Sequence, residues 1–214
     1  PGKHHPAYDP KQGYEVAGFV WFQGYNDMIA TTIYPNRQKP RGYEQYSWLL
    51  SQFIRSVRKE LNVPKMPFVI GVFGQGGELD EPSPFREGMA APARYDEFKG
   101  TVAAVRTAPF WDTRMHEIKA KFERVMNFKG DPGHPDAELH ARARAYEAEA
   151  KKTIRARPMA KAKLIQKGLE AVVYTPEERA YLENNISNQG YHYYGAPKFF
   201  GRAGEAFAEA LGAM

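Results

Sequence analysis

The chain has 214 residues, with 30 Lys and Arg against 25 Asp and Glu, a net charge of +5 and no cysteine. That length suffices for one domain with a sizeable core, and the missing cysteine excludes disulfides and thiolate-bound metals. No stretch approaches the roughly 18 apolar residues of a membrane-spanning helix, so no membrane partner is expected.

Pro1 to Gly13 is a Pro-, Gly- and His-rich lead-in without periodicity. His4 and His5 are adjacent but have no third partner at ligand spacing, so no metal is expected. Tyr14 to Phe22 reads as a strand, its apolar run from Ala17 to Phe22 fitting a buried one. The run stops abruptly on Gln23-Gly24-Tyr25-Asn26-Asp27. Ligands of open parallel sheets bind just beyond the carboxyl ends of the strands, which makes this amide- and carboxylate-bearing cluster a candidate site. The plainer alternative is an Asn-Asp turn. Met28 to Gly42 forms a loop containing Tyr34-Pro35-Asn36-Arg37, which either borders a groove suited to a sugar face or is ordinary surface.

Tyr43 to Leu61 is an amphipathic helix with Tyr46, Leu49, Leu50, Phe53, Ile54, Val57 and Leu61 on one stripe, a core face rather than a cofactor site. Met66 to Phe73 reads as a second buried strand ending in Gly74-Gln75-Gly76-Gly77. That glycine cluster lacks the Lys-Ser/Thr of a phosphate loop and the helix behind it, so it reads as a turn approaching the site. Pro82 to Lys99 is broken by prolines around a short helical piece, and Thr101 to Thr107 reads as a third strand. Strands alternating with helices predict an α/β fold, a three-layer α/β/α sandwich on a parallel sheet. Asp112 is either a carboxylate beyond the third strand or the N-cap of a helix from Thr113 to Phe122.

Thr113 to Val173 is mostly helix-forming, interrupted at Gly130 to Pro135 and near Pro158, with few large apolar residues from Leu139 to Ala150. Between Arg114 and Glu170, 14 Lys and Arg stand against 8 Asp and Glu, so the basicity of the chain is concentrated here. The expectation is a basic helical insertion at about 113–173, protruding as a hairpin. One reading makes it a module for nucleic acid or another anionic polymer. Its sparse aromatics (Phe122, Phe128, Tyr146) and the absence of a recognition-helix pattern favour a solvated face instead, with no nucleic-acid partner. Thr175-Pro176-Glu177-Glu178 is a capping box opening another helix. His192 then falls in a Gly- and aromatic-rich loop, ahead of a final helix that starts at Pro197 and repeats Phe199, Phe200, Ala203, Phe207, Ala210 and Leu211 at helical spacing.

Trp21-Phe22-Gln23-Gly24 running into Gly24-Tyr25-Asn26-Asp27, together with the His192 loop before the terminal helix, resembles the SGNH hydrolases. The resemblance is to the sialate O-acetylesterase-like carbohydrate esterases and extends from about Tyr14 to Leu211. It implies serine-type hydrolysis of acetyl esters on sugars, with no cofactor or metal, in a secreted or periplasmic setting. It implies His192 as general base, a role neutral imidazole suits near neutral pH, and Asn26 as the oxyanion donor. Gln23 and Gly24 would shape the pocket floor and Asp27 would fix the loop. The family places an orienting carboxylate three residues before the His; Gln189 stands there, with Asn188 before it, leaving Asp112 as the candidate acid.

The family's Gly-x-Ser block after the first strand has no counterpart among Ser47, Ser51, Ser56, Ser83 and Ser187. The expectation is a C-terminal portion of the domain, supplying the third to fifth strands and inactive alone. The N-terminal half of the same domain, with two strands and the nucleophile, would precede Pro1. Two other readings stay open: a non-catalytic relative that binds glycan, and the basic helical module described above.

Overall fold

A computed structural model describes residues 5–214; Pro1 to His4, and so one member of the His4–His5 pair, lie outside the described residues. The fold is mixed α/β. Three short strands, β1 (Phe19–Trp21), β2 (Phe68–Val72) and β3 (Val102–Arg106), pair in parallel in the order β1-β2-β3. Phe19 lies opposite Phe68, and Phe68 opposite Val102. The α-helices are α1 (Tyr25–Ile29), α2 (Glu44–Glu60), α3 (Pro84–Ala90) and α4 (Thr113–Met126). They continue with α5 (Pro135–Thr153), α6 (Pro158–Val173), α7 (Pro176–Asn185) and α8 (Pro197–Gly212). The chain divides into two compact units: the described residues up to Phe110 with Phe200–Met214, and Trp111–Phe199.

In the first unit β2 is central and every one of its residues is buried, as its unbroken apolar run requires. Phe53 of α2 packs edge-on against Phe19 and Phe68, which stack on each other at 5.1 Å. Gly71 makes room for other rings: a Cβ there would lie 2.5 Å from Phe22 and 2.7 Å from Phe207 of α8. β1 is shorter than the expected Tyr14 to Phe22. It is an edge strand, and its only partner among the described residues begins after Pro67, which has no N–H to extend the ladder. Arg58 of α2, 6% exposed, ties the helix to the entrances of two strands. Its guanidinium donates to the Met66 carbonyl at 3.1 and 2.8 Å and to the Thr101 carbonyl at 3.0 Å. Burial draws its pKa down, and these charge-assisted bonds offset that desolvation.

The second unit has a core of its own. Ile118, Phe122 and Val125 of α4 meet Ala143 of α5, Leu169 and Val173 of α6, and Tyr174. The hairpin expected at about 113–173 is instead three helices, α4, α5 and α6, enclosing part of this core. The scarcity of large side chains on α5 has a packing reason, since Ala143 and Ala150 are its buried apolar residues. Gly168 in mid-α6 serves the same close approach, because the Tyr146 ring of α5 occupies the space a side chain would need. The capping box forms in full at α7: Glu178 N–H donates to Thr175 Oγ1 at 3.1 Å, and Thr175 N–H to Glu178 Oε2 at 2.8 Å.

Candidate functional site

The carboxyl ends of the strands carry the first group of candidate residues. β1 runs through Gln23 into Gly24, whose φ of 156° and ψ of 0° turn the chain into α1. Gly24 is buried and faces the Phe85 ring, so no side chain fits there. The turn is held from both sides by aromatic hydroxyls. Tyr46 Oη donates to the Gln23 carbonyl at 3.1 Å, and Tyr43 Oη to the Met28 carbonyl at 2.6 Å. Arg37 Nη1 reaches the same Met28 carbonyl at 3.1 Å. Tyr34 Oη donates to Asp27 Oδ1 at 3.1 Å, so Asp27 fixes the loop. Burial, then the Asp27 charge, pushes the Tyr34 hydroxyl far above its ordinary pKa, and burial pushes Tyr46 up to about 12. Both phenols therefore stay protonated donors at neutral pH.

Asn26 and Gln23 differ from these neighbours. Both side chains are exposed, and among the described residues no hydrogen bond engages either side-chain amide. A hydrogen-bonded turn thus carries amide donors that are uncommitted and able to meet a developing oxyanion. Tyr34 and Arg37, expected either to border a sugar groove or to lie on the surface, hold this loop from beneath. Tyr34 is only 3% exposed.

The β2 and β3 exits shape the rest of the edge. Arg86 of α3 clasps the glycine turn, donating to the Gln75 carbonyl and the Gly77 carbonyl at 2.8 Å each. A cavity of about 340 Å3 opens beside it, lined by Phe73, Glu78, Ser83, Arg86, Arg106 and Thr107 among others. The Gln75 side-chain oxygen is buried with no donor among the described residues.

The His192 loop belongs to the second unit. Its backbone folds on itself: the Ser187 and Asn188 N–H groups both donate to the Tyr194 carbonyl, and the Tyr194 and His192 N–H groups both donate to that of Gln189. Tyr193, Tyr194 and Gly195 all adopt positive φ, at 52°, 57° and 62°. Two consecutive non-glycine residues in that region are strained. The strain is compensated by packing: Tyr193 stacks on Phe199 at 4.0 Å, and Trp111 meets both tyrosines. Gly195 admits no side chain, since Ser187 Oγ and Asn188 crowd it.

His192 is exposed on this loop, its ring edge-on to Tyr191 at 4.5 Å. Its Nδ1 lies 3.0 Å from Asn188 Oδ1. The same amide oxygen accepts the Gln189 N–H at 2.8 Å, which identifies it as the oxygen end. An amide oxygen only accepts, so His192 Nδ1 is the donor of this bond, and in the neutral ring Nε2 then carries the lone pair. That is the tautomer a general base needs.

The orienting group is thus Asn188, four residues before the His, and Asp112 takes another part. Asp112 Oδ1 caps α4 by accepting the Met115 N–H at 2.8 Å, and Oδ2 accepts the Tyr181 hydroxyl at 2.7 Å. Both oxygens are committed to structure, as the N-cap alternative requires. Asn188 is uncharged and stands four residues before the His, so a pattern that asks for a carboxylate three residues back does not select it. The usable signal was a side-chain oxygen one helical turn from the His, in a loop that coils. The five serines are occupied or remote from any strand exit. Ser47 Oγ bonds the Tyr43 and Gly88 carbonyls, Ser51 that of Trp48 and Ser187 that of Gly195, while Ser83 caps α3 and Ser56 lies on α2. No protein-family model, curated protein or solved structure matches the chain.

Proposed function

We propose that the chain is the C-terminal portion of an SGNH-type carbohydrate O-acetylesterase, with His192 as general base and Asn26 as an oxyanion donor. The observation that carries this is the His192–Asn188 pair, an exposed imidazole whose Nδ1 is engaged by an amide oxygen, which leaves Nε2 as the base of the neutral ring, just before the last helix. Strand geometry supports the fold part of the reading. Phe68 and Gly71 are three residues apart on β2 and so face opposite ways. Phe53 of α2 packs near the first and Phe207 of α8 near the second, the layering of an α/β/α sandwich. A doubly wound sheet of order 2-1-3-4-5 has β1, β2 and β3 as its last three strands, which leaves the outer edge of β1 for a first strand. Val20, 39% exposed, lies on that edge strand.

In this reading a serine from the N-terminal half of the domain gives its proton to His192 Nε2 and attacks the acetyl carbonyl. The oxyanion accepts from the Asn26 amide, and the sugar hydroxyl leaves with the proton from His192. Acetate is then released when water repeats the sequence on the acyl-enzyme. The substrate class, O-acetylated sugars, and a secreted or periplasmic setting rest on the family resemblance.

A fluorophosphonate probe applied to the native source extract tests the reading, with the intact mass and labelled residue of the protein containing this chain as readouts. Labelling on a serine of a longer polypeptide, lost on His192→Ala, is the expected result. An unlabelled protein overturns the esterase reading in favour of a glycan-binding relative.

A further inference from the structure

The helical unit contains a cavity that the proposed hydrolysis does not use. It lies between α6 and α7, has a volume of about 590 Å3, and is lined by Lys163, Gln166, Lys167, Glu170, Tyr174 and Arg179 among others. The α6 residues recur three, four and seven positions apart and so form one stripe. Tyr174, which follows α6, is 3% exposed, and its hydroxyl has no hydrogen-bond partner among the described residues. Arg179 of α7 has its Nε buried and equally without a partner.

Both unpartnered groups are donors. A guanidinium only donates. The Tyr174 phenol stays protonated, because burial first and then the Glu170 charge push its pKa far up. Buried donors left unbonded are rare because they are costly. Two of the carboxylates near Tyr174 are bonded elsewhere: Glu178 accepts from Lys121 Nζ at 2.8 Å, and Glu170 Oε1 accepts from Gln166 Nε2 at 3.1 Å. Neither buried donor has met an acceptor among the lining side chains, and the lining cations Lys163, Lys167 and Arg179 outnumber the carboxylates Glu170 and Glu183, which favours a ligand group with negative charge.

We propose that the α6–α7 cavity binds the oxyanion of a small molecule, a phosphoryl or carboxylate group, with Arg179 and Tyr174 as its buried donors and Lys163 and Lys167 as its cationic rim. The planar fork of Arg179 matches either group. The volume is that of a small-molecule site rather than a bare-ion site. Glu170 and Glu183, also on the lining, repel an extended polyanion while tolerating one compact anionic group. This sets the site apart from a nucleic-acid interface.

Isothermal titration of the full chain with inorganic phosphate, and separately with acetate, tests the proposal at constant ionic strength set with chloride. Saturable one-to-one binding of at least one anion is expected, and the tighter of the two identifies the phosphoryl or the carboxylate class. Arg179→Gln should weaken it at least about tenfold and Tyr174→Phe, which keeps the ring, at least about threefold. Lys152→Gln, on α5 away from the cavity, should leave it within about twofold. Binding of neither anion, or unchanged binding by Arg179→Gln, overturns the proposal. Equal weakening by Lys152→Gln does so too, since it marks diffuse attraction. Should circular dichroism show Arg179→Gln unfolded, Tyr174→Phe decides: unchanged affinity then overturns it.

Discussion

Replacing Gly24 with Ala probes how β1 delivers Asn26 to its position. Gly24 has a φ of 156°, where a side chain costs about 1–3 kcal/mol of backbone strain. The added methyl would stand 2.7 Å from Phe85 Cζ and 3.3 Å from Tyr46 Oη. Those rings pack edge-on at 5.2 Å, so neither yields freely, and overpacking adds about 1–3 kcal/mol. The total is about 2–6 kcal/mol. Gly76→Ala is the internal control, because φ there is 85° but nothing lies within 4 Å of its Cβ. It carries backbone strain alone, about 1–2 kcal/mol. Urea unfolding followed by tryptophan fluorescence measures both, with unchanged slopes as the condition for comparing them. Gly24→Ala should be the less stable by at least about 1 kcal/mol, and hydrogen exchange should place its faster opening in residues 23–30. A difference below about 0.5 kcal/mol would refute the close packing of Phe85 and Tyr46 on this turn.

Arg58→Met leaves the Met66 carbonyl without its guanidinium donor and should cost about 1–3 kcal/mol. Arg55→Met, which breaks the half-exposed Arg55–Glu97 pair, should cost less than about 1 kcal/mol; equal losses in urea unfolding would reject the buried-carbonyl account. Burial raises the Glu178 pKa, but bonds from Lys121 and the Thr175 N–H outweigh it, so the net direction is down. A depressed carboxyl stabilises the fold above its unfolded pKa of about 4.3. That stability is lost as pH falls through the folded value. Wild type should therefore exceed Glu178→Gln in stability at neutral pH and converge with it below about pH 4; a constant gap across a pH series of thermal melts would contradict this. On the proposed esterase reading, Asn26→Ala should slow acetate release by the protein containing this chain about a hundredfold or more while leaving the melting temperature unchanged, and a change below about threefold rejects its oxyanion role. Asn188→Asp keeps the Nδ1 acceptor and adds the charge that stabilises imidazolium, so kcat should rise several-fold at unchanged KM; a fall in kcat would remove Asn188 from its positioning role.

Local signals were legible wherever the chemistry is local. The capping box at Thr175 and Glu178, the prolines opening α7 and α8, the breaks at Gly130 to Pro135 and near Pro158, and the apolar runs of β2 and β3 each act within a few residues, and each formed where the pattern predicted. The parallel α/β character followed from strands alternating with helices. Less visible were features that depend on residues distant in sequence. The length of β1 is set by its partner, and the short helix α1 was hidden inside what reads as an Asn-Asp turn. The Ala-rich stretch of α5 reads as a solvated face because periodicity does not pair its Tyr146 with Gly168 of α6, where the close approach is made.

The same division runs through the candidate site. Sequence alone determined which residue types end β1 and which loop carries His192, because those follow from short motifs and spacing. Tertiary structure decided what each side chain does. Tyr34, Tyr43 and Tyr46 hold the Gln23 to Met28 loop, Asp112 is spent on a helix cap and Tyr181, and Asn188 fixes the imidazole tautomer. A hydrogen bond needs its two atoms about 3 Å apart in a fixed direction. Composition and periodicity specify the supply of donors and acceptors; only the folded backbone specifies which of them meet.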